Sequence, residues 1–288
     1  MQKILNYGKV YGIVDTMGGE LISYKNDGKE YLWTGLNEYW NGHTPVLFPT
    51  VGVCKDDKVF IESGEYSLKR HGFARKSEFT LKEITDDTAV FELLYSDETL
   101  KIYPYKFSLT VMHKISEAGF RTEYNVENFD DKEIMFAIGG HPGFLLDSIE
   151  NYKLIFETKE NCKMYYTDSN SCMDENLIHA KKLENTDVFE LVYSDYDTDA
   201  IVIKDLKSRK VKLVSKFSGS GIEFDFNGFD VLGIWTPPKK NAPFICLEPW
   251  NGIPAYANET GKFEDKPYIK KLNVGESYSV GYTVTLCR

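Results

Sequence analysis

Apolar and polar residues alternate with a period of two along most of this chain, the signature of strands with one buried face. In FSLTVMHKI, Phe107, Leu109, Val111, His113 and Ile115 fall on one face, and Ser108, Thr110 and Lys114 on the other. FRTEYNVENF sets Phe120, Thr122, Tyr124 and Val126 against Arg121, Glu123, Asn125 and Glu127. Between these segments lies Glu117-Ala118-Gly119, which predicts a hairpin. ELISYKNDGKEYLW carries Asn26-Asp27-Gly28 between two apolar arms and predicts a second. AIVIKDLKSRKVKLV and SYSVGYTVTL follow the same logic, whereas helical periodicity over ten or more residues is missing. With no linker, low-complexity tract or repeat, residues 1–288 read as one all-β domain. An antiparallel sandwich or barrel-like stack of sheets is expected. Its longest irregular pieces fall at 36–75, 139–150 and 160–185, and loops on a rigid scaffold are where binding residues tend to lie.

Composition narrows this picture. The 19 tyrosines and 18 phenylalanines favour strands over helices. A net charge of −10, with no long Lys/Arg run, argues against nucleic-acid and anionic-membrane partners. Five scattered cysteines without a C-x-x-C pair read as reduced thiols in a cytoplasmic protein. No apolar run approaches the length of a membrane helix, and MQKILNYGKVYGIVD lacks a signal-peptide core. G-x-S-x-G, P-loop, H-E-x-x-H and dinucleotide fingerprints are absent.

Three positions stand out. In FICLEPWNG, an apolar run leads straight into Glu248, with Phe244, Cys246 and Glu248 on one strand face and Ile245 and Leu247 on the other. Either face suits burial, and a buried carboxylate is costly unless paired or neutralised. Glu248 is therefore either paired with an arginine or backbone amides, or desolvated for proton transfer. His141, in AIGGHPGF, follows two glycines and precedes Pro142, so its imidazole is presented at a strand end. His71, in KRHGFAR, is flanked by Arg70 and Arg75. The other histidines carry weaker signals: His113 reads as a hydrogen-bonded core residue, His179 as a surface loop residue, and His43 as an unremarkable loop position.

HGFAR (71–75), GGHPGF (139–144) and LGIWTPPKKNAPFICLEPWNG (232–252), together with PVLFPTVG (45–52) and LKSRKVKL (206–213), resemble the aldose 1-epimerase, or galactose mutarotase-like, family, and in particular its lactose-operon-associated branch. The resemblance runs over nearly the whole chain. It implies a β-supersandwich that interconverts the α and β anomers of a hexose. Glu248 would be the general base, His141 the general acid, and His71 and Arg75 substrate contacts. It also implies an aspartate on a sugar hydroxyl. Asp199 is the best match, with Asp195 and Asp197 nearby. Trp235 and Trp250 offer flat apolar faces for a sugar ring. No metal or organic cofactor is implied, and the expected partner is a small sugar, with the chain a monomer or homodimer. One departure concerns phosphosugars: the branch acting on them carries an arginine where this chain has Asn41, which weakens that reading, although Arg70 and Arg75 preserve it.

Overall fold

The computed structural model describes residues 1–179 and 181–287. Two large antiparallel sheets dominate it. The first has nine strands, in the order Leu183–Glu190, Tyr152–Cys162, Lys210–Ser215, Gly221–Asp225, Ser277–Cys287, Gly119–Asn128, Phe107–Ser116, Thr88–Leu94 and Thr80–Ile84. The second has eight: Met173–Ile178, Tyr165–Thr167, Ile201–Ile203, Val231–Trp235, Phe244–Asn251, Ile138–Gly140 and Val46–Leu47 lie in order, and Gly143–Leu145 also pairs with Phe244–Asn251. A four-stranded meander, Gln2–Tyr7 to Lys29–Glu30, stands beside them. Among the described residues the only α-helix is the four-residue turn Asp97–Leu100, and no helix is long and apolar enough to cross a membrane.

Alternation decides what each sheet buries. Phe107, Leu109, Val111, Phe120, Tyr124 and Val126 of the nine-stranded sheet share one continuous core with Ile201, Ile203, Leu232, Ile234, Ile245 and Leu247 of the eight-stranded sheet. The predicted hairpin pairs Phe107 with Asn128 and Ser116 with Gly119, in the expected register. His113 is fully buried, its ring bonded to Thr122 Oγ1 at 2.9 Å and to the Gly19 carbonyl at 2.8 Å. Burial pushes it down to about 4, so it is a neutral core residue. The Asn26-Asp27-Gly28 turn also forms, with Asp27 and Gly28 both at positive φ, as a tight hairpin requires. Its second arm is short. The Glu30 carboxylate takes the amide N–H groups of Tyr24, Tyr31 and Leu32 and ends the ladder there.

Two expectations need correction, those for the irregular segments and for His179. The segments 36–75, 139–150 and 160–185 are not simply irregular, since each contains strands, including Lys58–Ile61, Ile138–Gly140 and Met173–Ile178. AIVIKDLKSRKVKLV does form strands, and they divide between the sheets: Ile201–Ile203 belongs to the eight-stranded sheet and Lys210–Ser215 to the nine-stranded one. The chain crosses between them at a turn whose Lys207 and Ser208 amides bond the buried Glu160 carboxylate. His179 is not a surface residue but is buried, because strand Met173–Ile178 folds back and brings the ring against Tyr166 at 4.9 Å and Asp195 at 3.4 Å.

All five cysteines are free. Phe107 packs its ring against Phe48, Phe73 and Tyr103 where the two sheets meet. Phe107→Ala is expected to cost about 3–5 kcal/mol, read as a lower urea midpoint with an unchanged denaturant slope.

Candidate active site

Glu248 lies near the middle of Phe244–Asn251, a strand buried along its whole length. Because Ile245 and Leu247 enter the inter-sheet core, Phe244, Cys246, Glu248 and Trp250 must face the other side of the sheet. Two chain segments flank that strand. On one side Val231–Trp235 sets Gly233 opposite Glu248 and Trp235 opposite Cys246. On the other, Ile138–Gly140 and Gly143–Leu145 pair with the same strand in one continuous register, Gly139 opposite Trp250 and Gly143 opposite Cys246. The gap between them is His141-Pro142, so the register puts His141 directly across from Glu248. Cross-strand partners on one face are close neighbours, and His141 Nε2 lies 3.2 Å from Glu248 Oε2.

The glycines before His141 do not make a sharp turn. They lie within a strand, and they are needed for close packing. A Cβ on Gly140 would meet Tyr124 Oη and Tyr282 Cε1 at 2.8 Å, and one on Gly139 would meet Trp250 Cδ1 at 2.8 Å. With no side chains there, the strand seats deeply and carries His141 down to the carboxylate.

His71 arrives from a different segment. Its backbone is in the left-handed region, at φ 65°, uncommon outside glycine and asparagine. Gly72 follows at φ 67°, pressed so closely on the Phe48 carbonyl that a Cβ would sit 2.1 Å from its oxygen. Paired contacts hold this bend: the His71 N–H donates to the Gly52 carbonyl at 2.8 Å, and the Gly52 N–H donates to His71 Nδ1 at 3.1 Å. An Nδ1 that accepts leaves the proton on Nε2, so His71 is a neutral Nε2–H donor. Burial, and then the charges of His141, Arg75 and Arg70, hold its pKa well below the usual imidazole value.

His71, His141, Arg75, Asp199, Trp235 and Glu248 all line one cavity of about 200 Å³, so the structure brings every sequence-predicted site residue together. This volume lies below the roughly 300–1,000 Å³ usual for pockets of drug-sized ligands, so it suits only a small guest. Of the three candidate aspartates, Asp199 faces the cavity. Asp195 is taken up by Lys181 and His179 elsewhere, and Asp197 is exposed. Asn41 is exposed outside the cavity wall. Residues of the wall that were not singled out from the sequence include Trp40, Thr167, Ser171 and Pro254. Trp40 lies in a stretch with no periodicity, and Thr167 and Ser171 sit on a hairpin that only sheet pairing brings over the pocket, so no local signal pointed to them. Arg70, noted only as a neighbour of His71, bonds Ser171 Oγ and approaches Asp199 to 3.6 Å.

The electrostatics of the cavity are dominated by dryness. Burial raises the Glu248 pKa well above the usual carboxylate value, Asp199 adds to the rise, and Trp250, Arg70 and Arg75 oppose it. Burial pushes His141 down to about 3, and Arg75 and Arg70 push in the same direction. Both shifts favour the neutral form of each group. A neutral carboxyl beside a neutral imidazole carries as many protons as a carboxylate–imidazolium pair. Arg75 Nε, His141 Nδ1, Glu248 Oε2 and Trp250 Nε1 are buried without a hydrogen-bonding partner in the protein, which marks the wall as built for a polar guest. A larger groove of about 510 Å³ near Tyr31 and Phe144 has no such convergence, as its carboxylates are already engaged, Glu30 by backbone amides and Asp147 by the Ser148 N–H and the Asn151 side chain.

Fold and cavity together define a β-sandwich with a small cavity built around a carboxyl–imidazole pair. The family model described as aldose 1-epimerase matches residues 10–283, and the chain belongs to that family. It is 36% identical over 283 residues to Protein LacX, plasmid, of Lactococcus lactis subsp. lactis, covering 94% of each chain. Among solved structures, a galactose mutarotase related enzyme from Lactobacillus acidophilus superposes with a TM-score of 0.93 at 26% identity, covering 100% of this chain and 98% of that one. A galactose mutarotase-like protein from Lactobacillus casei ATCC 334 gives 0.89 at 27% identity, covering 99% and 100%.

The tautomer of His71 is directly measurable. Imidazole ¹⁵N shifts of the unliganded protein at neutral pH are expected to show a neutral Nε2–H ring, and a protonated Nδ1 would contradict the Gly52 contact.

Proposed function

We propose that the protein is an aldose 1-epimerase that interconverts the α and β anomers of an unphosphorylated hexose by acid–base ring opening. The observation that carries this reading is the cross-strand pair: Glu248 and His141, 3.2 Å apart, on the floor of a cavity sized for one small ligand. In a cyclic sugar the C1 hydroxyl and the ring oxygen O5 are bonded to the same carbon. A base and an acid that serve both oxygens must therefore converge on one point, as neighbours in register do.

The chemistry proceeds in balanced proton transfers. With the shared proton on His141, Glu248 removes the proton of the C1 hydroxyl while His141 delivers its own to O5. The C1–O5 bond breaks and C1 becomes an aldehyde carbon. Rotation about C1–C2 presents the other carbonyl face, and O5 attacks it. The two transfers then run backward, and the pair ends with the one proton it began with. Desolvation makes Glu248 a stronger base than an exposed carboxylate. The Nε2–H of His71 and the guanidinium of Arg75 donate to sugar oxygens, Asp199 accepts from a hydroxyl, and Trp235 offers an apolar ring edge to the pyranose. This scheme asks nothing of a metal or organic cofactor.

A second reading, a hexose 6-phosphate substrate, is favoured by the two arginines of the wall. Against it, Arg70 is already compensated by Asp199 at 3.6 Å, and Glu248 adds a further acid to the same cavity. Anomerisation rates for glucose and glucose 6-phosphate, compared at equal concentration, decide between them, with the free sugar expected to be faster. Saturable sugar binding without any anomerisation would instead make the protein a carbohydrate-binding module on this fold.

Glu248→Gln is expected to lower kcat by about 10²–10⁴-fold in polarimetry, with the far-ultraviolet spectrum unchanged. Near-normal turnover would remove Glu248 from the base role. His141→Asn is expected to retain less than about a tenth of kcat, given the usual size of one positioned proton transfer. The pH profile follows from the two shifts. As pH falls through the depressed pKa of His141, the pair gains a second proton and the base is lost. As pH rises through the raised pKa of Glu248, the single proton leaves and the acid is lost. The plateau of kcat/KM should thus extend well below the ordinary imidazole value of 6.5, and an acidic limb centred there would contradict the shared-proton pair.

A further inference from the structure

Proton delivery by His141 requires the imidazolium, yet most of what surrounds the ring opposes that charge. Arg75 and Arg70 disfavour it, and His71 meets the ring edge-on with centroids 5.7 Å apart. Cys246, on Glu248's own strand, contributes a buried neutral thiol, its pKa raised by burial. The acidic groups of this wall are Glu248, at 3.2 Å, and Asp199, which is engaged with Arg70. Two aromatic side chains of the wall pack directly on the ring. Trp40 stacks on the imidazole with centroids 4.7 Å apart and planes 29° from parallel, and Trp235 meets it edge-on at 5.4 Å.

Trp40 is held in place for this contact. The Trp33 indole N–H donates to the Trp40 carbonyl at 2.7 Å, tying down its loop. Its ring packs against Trp235 at 5.6 Å and Phe244 at 5.9 Å. Two residues on, Gly42 leaves the ring its room, since a Cβ there would sit 2.4 Å from Trp40 Cζ2. A tryptophan face attracts a cation lying over it, most strongly where water is excluded. The face turned to His141 is occupied by the imidazole and does not serve as a sugar platform.

We propose that Trp40 is a positioning residue acting through His141: its indole face fixes the plane of the imidazole and stabilises the imidazolium formed when the shared proton crosses from Glu248. This rests on the epimerase reading and deepens it. The stack offsets part of the burial and arginine repulsion that otherwise hold His141 neutral, and it does so without adding an acid that would compete for the sugar's hydroxyls.

Two substitutions test it. Trp40→Leu keeps apolar bulk and removes the π face, whereas Trp40→Phe keeps a ring. Trp40→Leu is expected to lose about tenfold or more in kcat, with KM changed less than about threefold, and to shift the acidic limb of kcat/KM to lower pH. Trp40→Phe is expected to recover most of the loss. Equal losses in the two variants, or a loss confined to KM, would overturn the proposal. A second readout does not depend on turnover: ¹⁵N shifts of the His141 ring, followed in the unliganded protein as pH is lowered, report the midpoint at which the imidazolium forms, expected at lower pH in Trp40→Leu than in Trp40→Phe. Equal midpoints overturn the role of Trp40 even if the protein anomerises no sugar. Absence of anomerisation in the unmodified protein, with the shift difference intact, would instead sink the epimerase reading alone.

Discussion

A carboxyl and an imidazole facing each other across two strands, with water excluded, is the constraint around which this molecule is arranged. Neither group tolerates charge cheaply in so dry a place, and each is the other's nearest ionisable neighbour across the strands. The contact depends on register. A slip of one residue between His141 and Phe244–Asn251 would turn one of the two side chains into the inter-sheet core. The features that fix register are therefore the ones that make the site: the glycines that let the His141 segment seat against Tyr124, Tyr282 and Trp250, and the apolar Ile245 and Leu247 that commit the opposite face to the core.

Around that pair the walls come from distant parts of the chain, and each is held by backbone contacts. The His71 bend is pinned to Gly52 through two hydrogen bonds, which also set its tautomer. Trp40 is pinned through Trp33. Asp199 is reached by the hairpin hydroxyls of Thr167 and Ser171 as well as by Arg70. These bonds hold the supporting loops, while Arg75 Nε, His141 Nδ1, Glu248 Oε2 and Trp250 Nε1 of the cavity residues are left without partners in the protein. A site supported in this way pre-orients its donors and acceptors before a ligand arrives, which is how positioned groups contribute most to rate.

The buried pair also accounts for the aromatic character of the wall. Another formal charge close to His141 would have to be desolvated and would compete with the substrate for Glu248. Rings provide a polarisable surface with no such penalty, so Trp40 and Trp235 can pack against the imidazole while Arg70 and Asp199 compensate one another.

Much of this was legible in one dimension. The strands of Phe107–Ser116 and Gly119–Asn128, the turn at Asp27-Gly28, the burial of His113, and the odd placement of Glu248 after an apolar run all follow from local periodicity, because a strand's two faces are written directly in alternate residues. His141 and His71 announced themselves by neighbouring glycines. Local pattern could not reveal which faces meet. It misjudged His179, whose burial comes from a strand folding back on it, and it passed over Trp40, Thr167 and Ser171, whose place at the cavity is set by pairing between distant segments. The choice of Asp199 over Asp195 and Asp197 was likewise made by partners remote in sequence, Lys181 and His179 drawing Asp195 away. Alternation is a property of one strand, whereas register and enclosure are properties of several. Only the assembled sheets brought a glutamate and a histidine 3.2 Å apart.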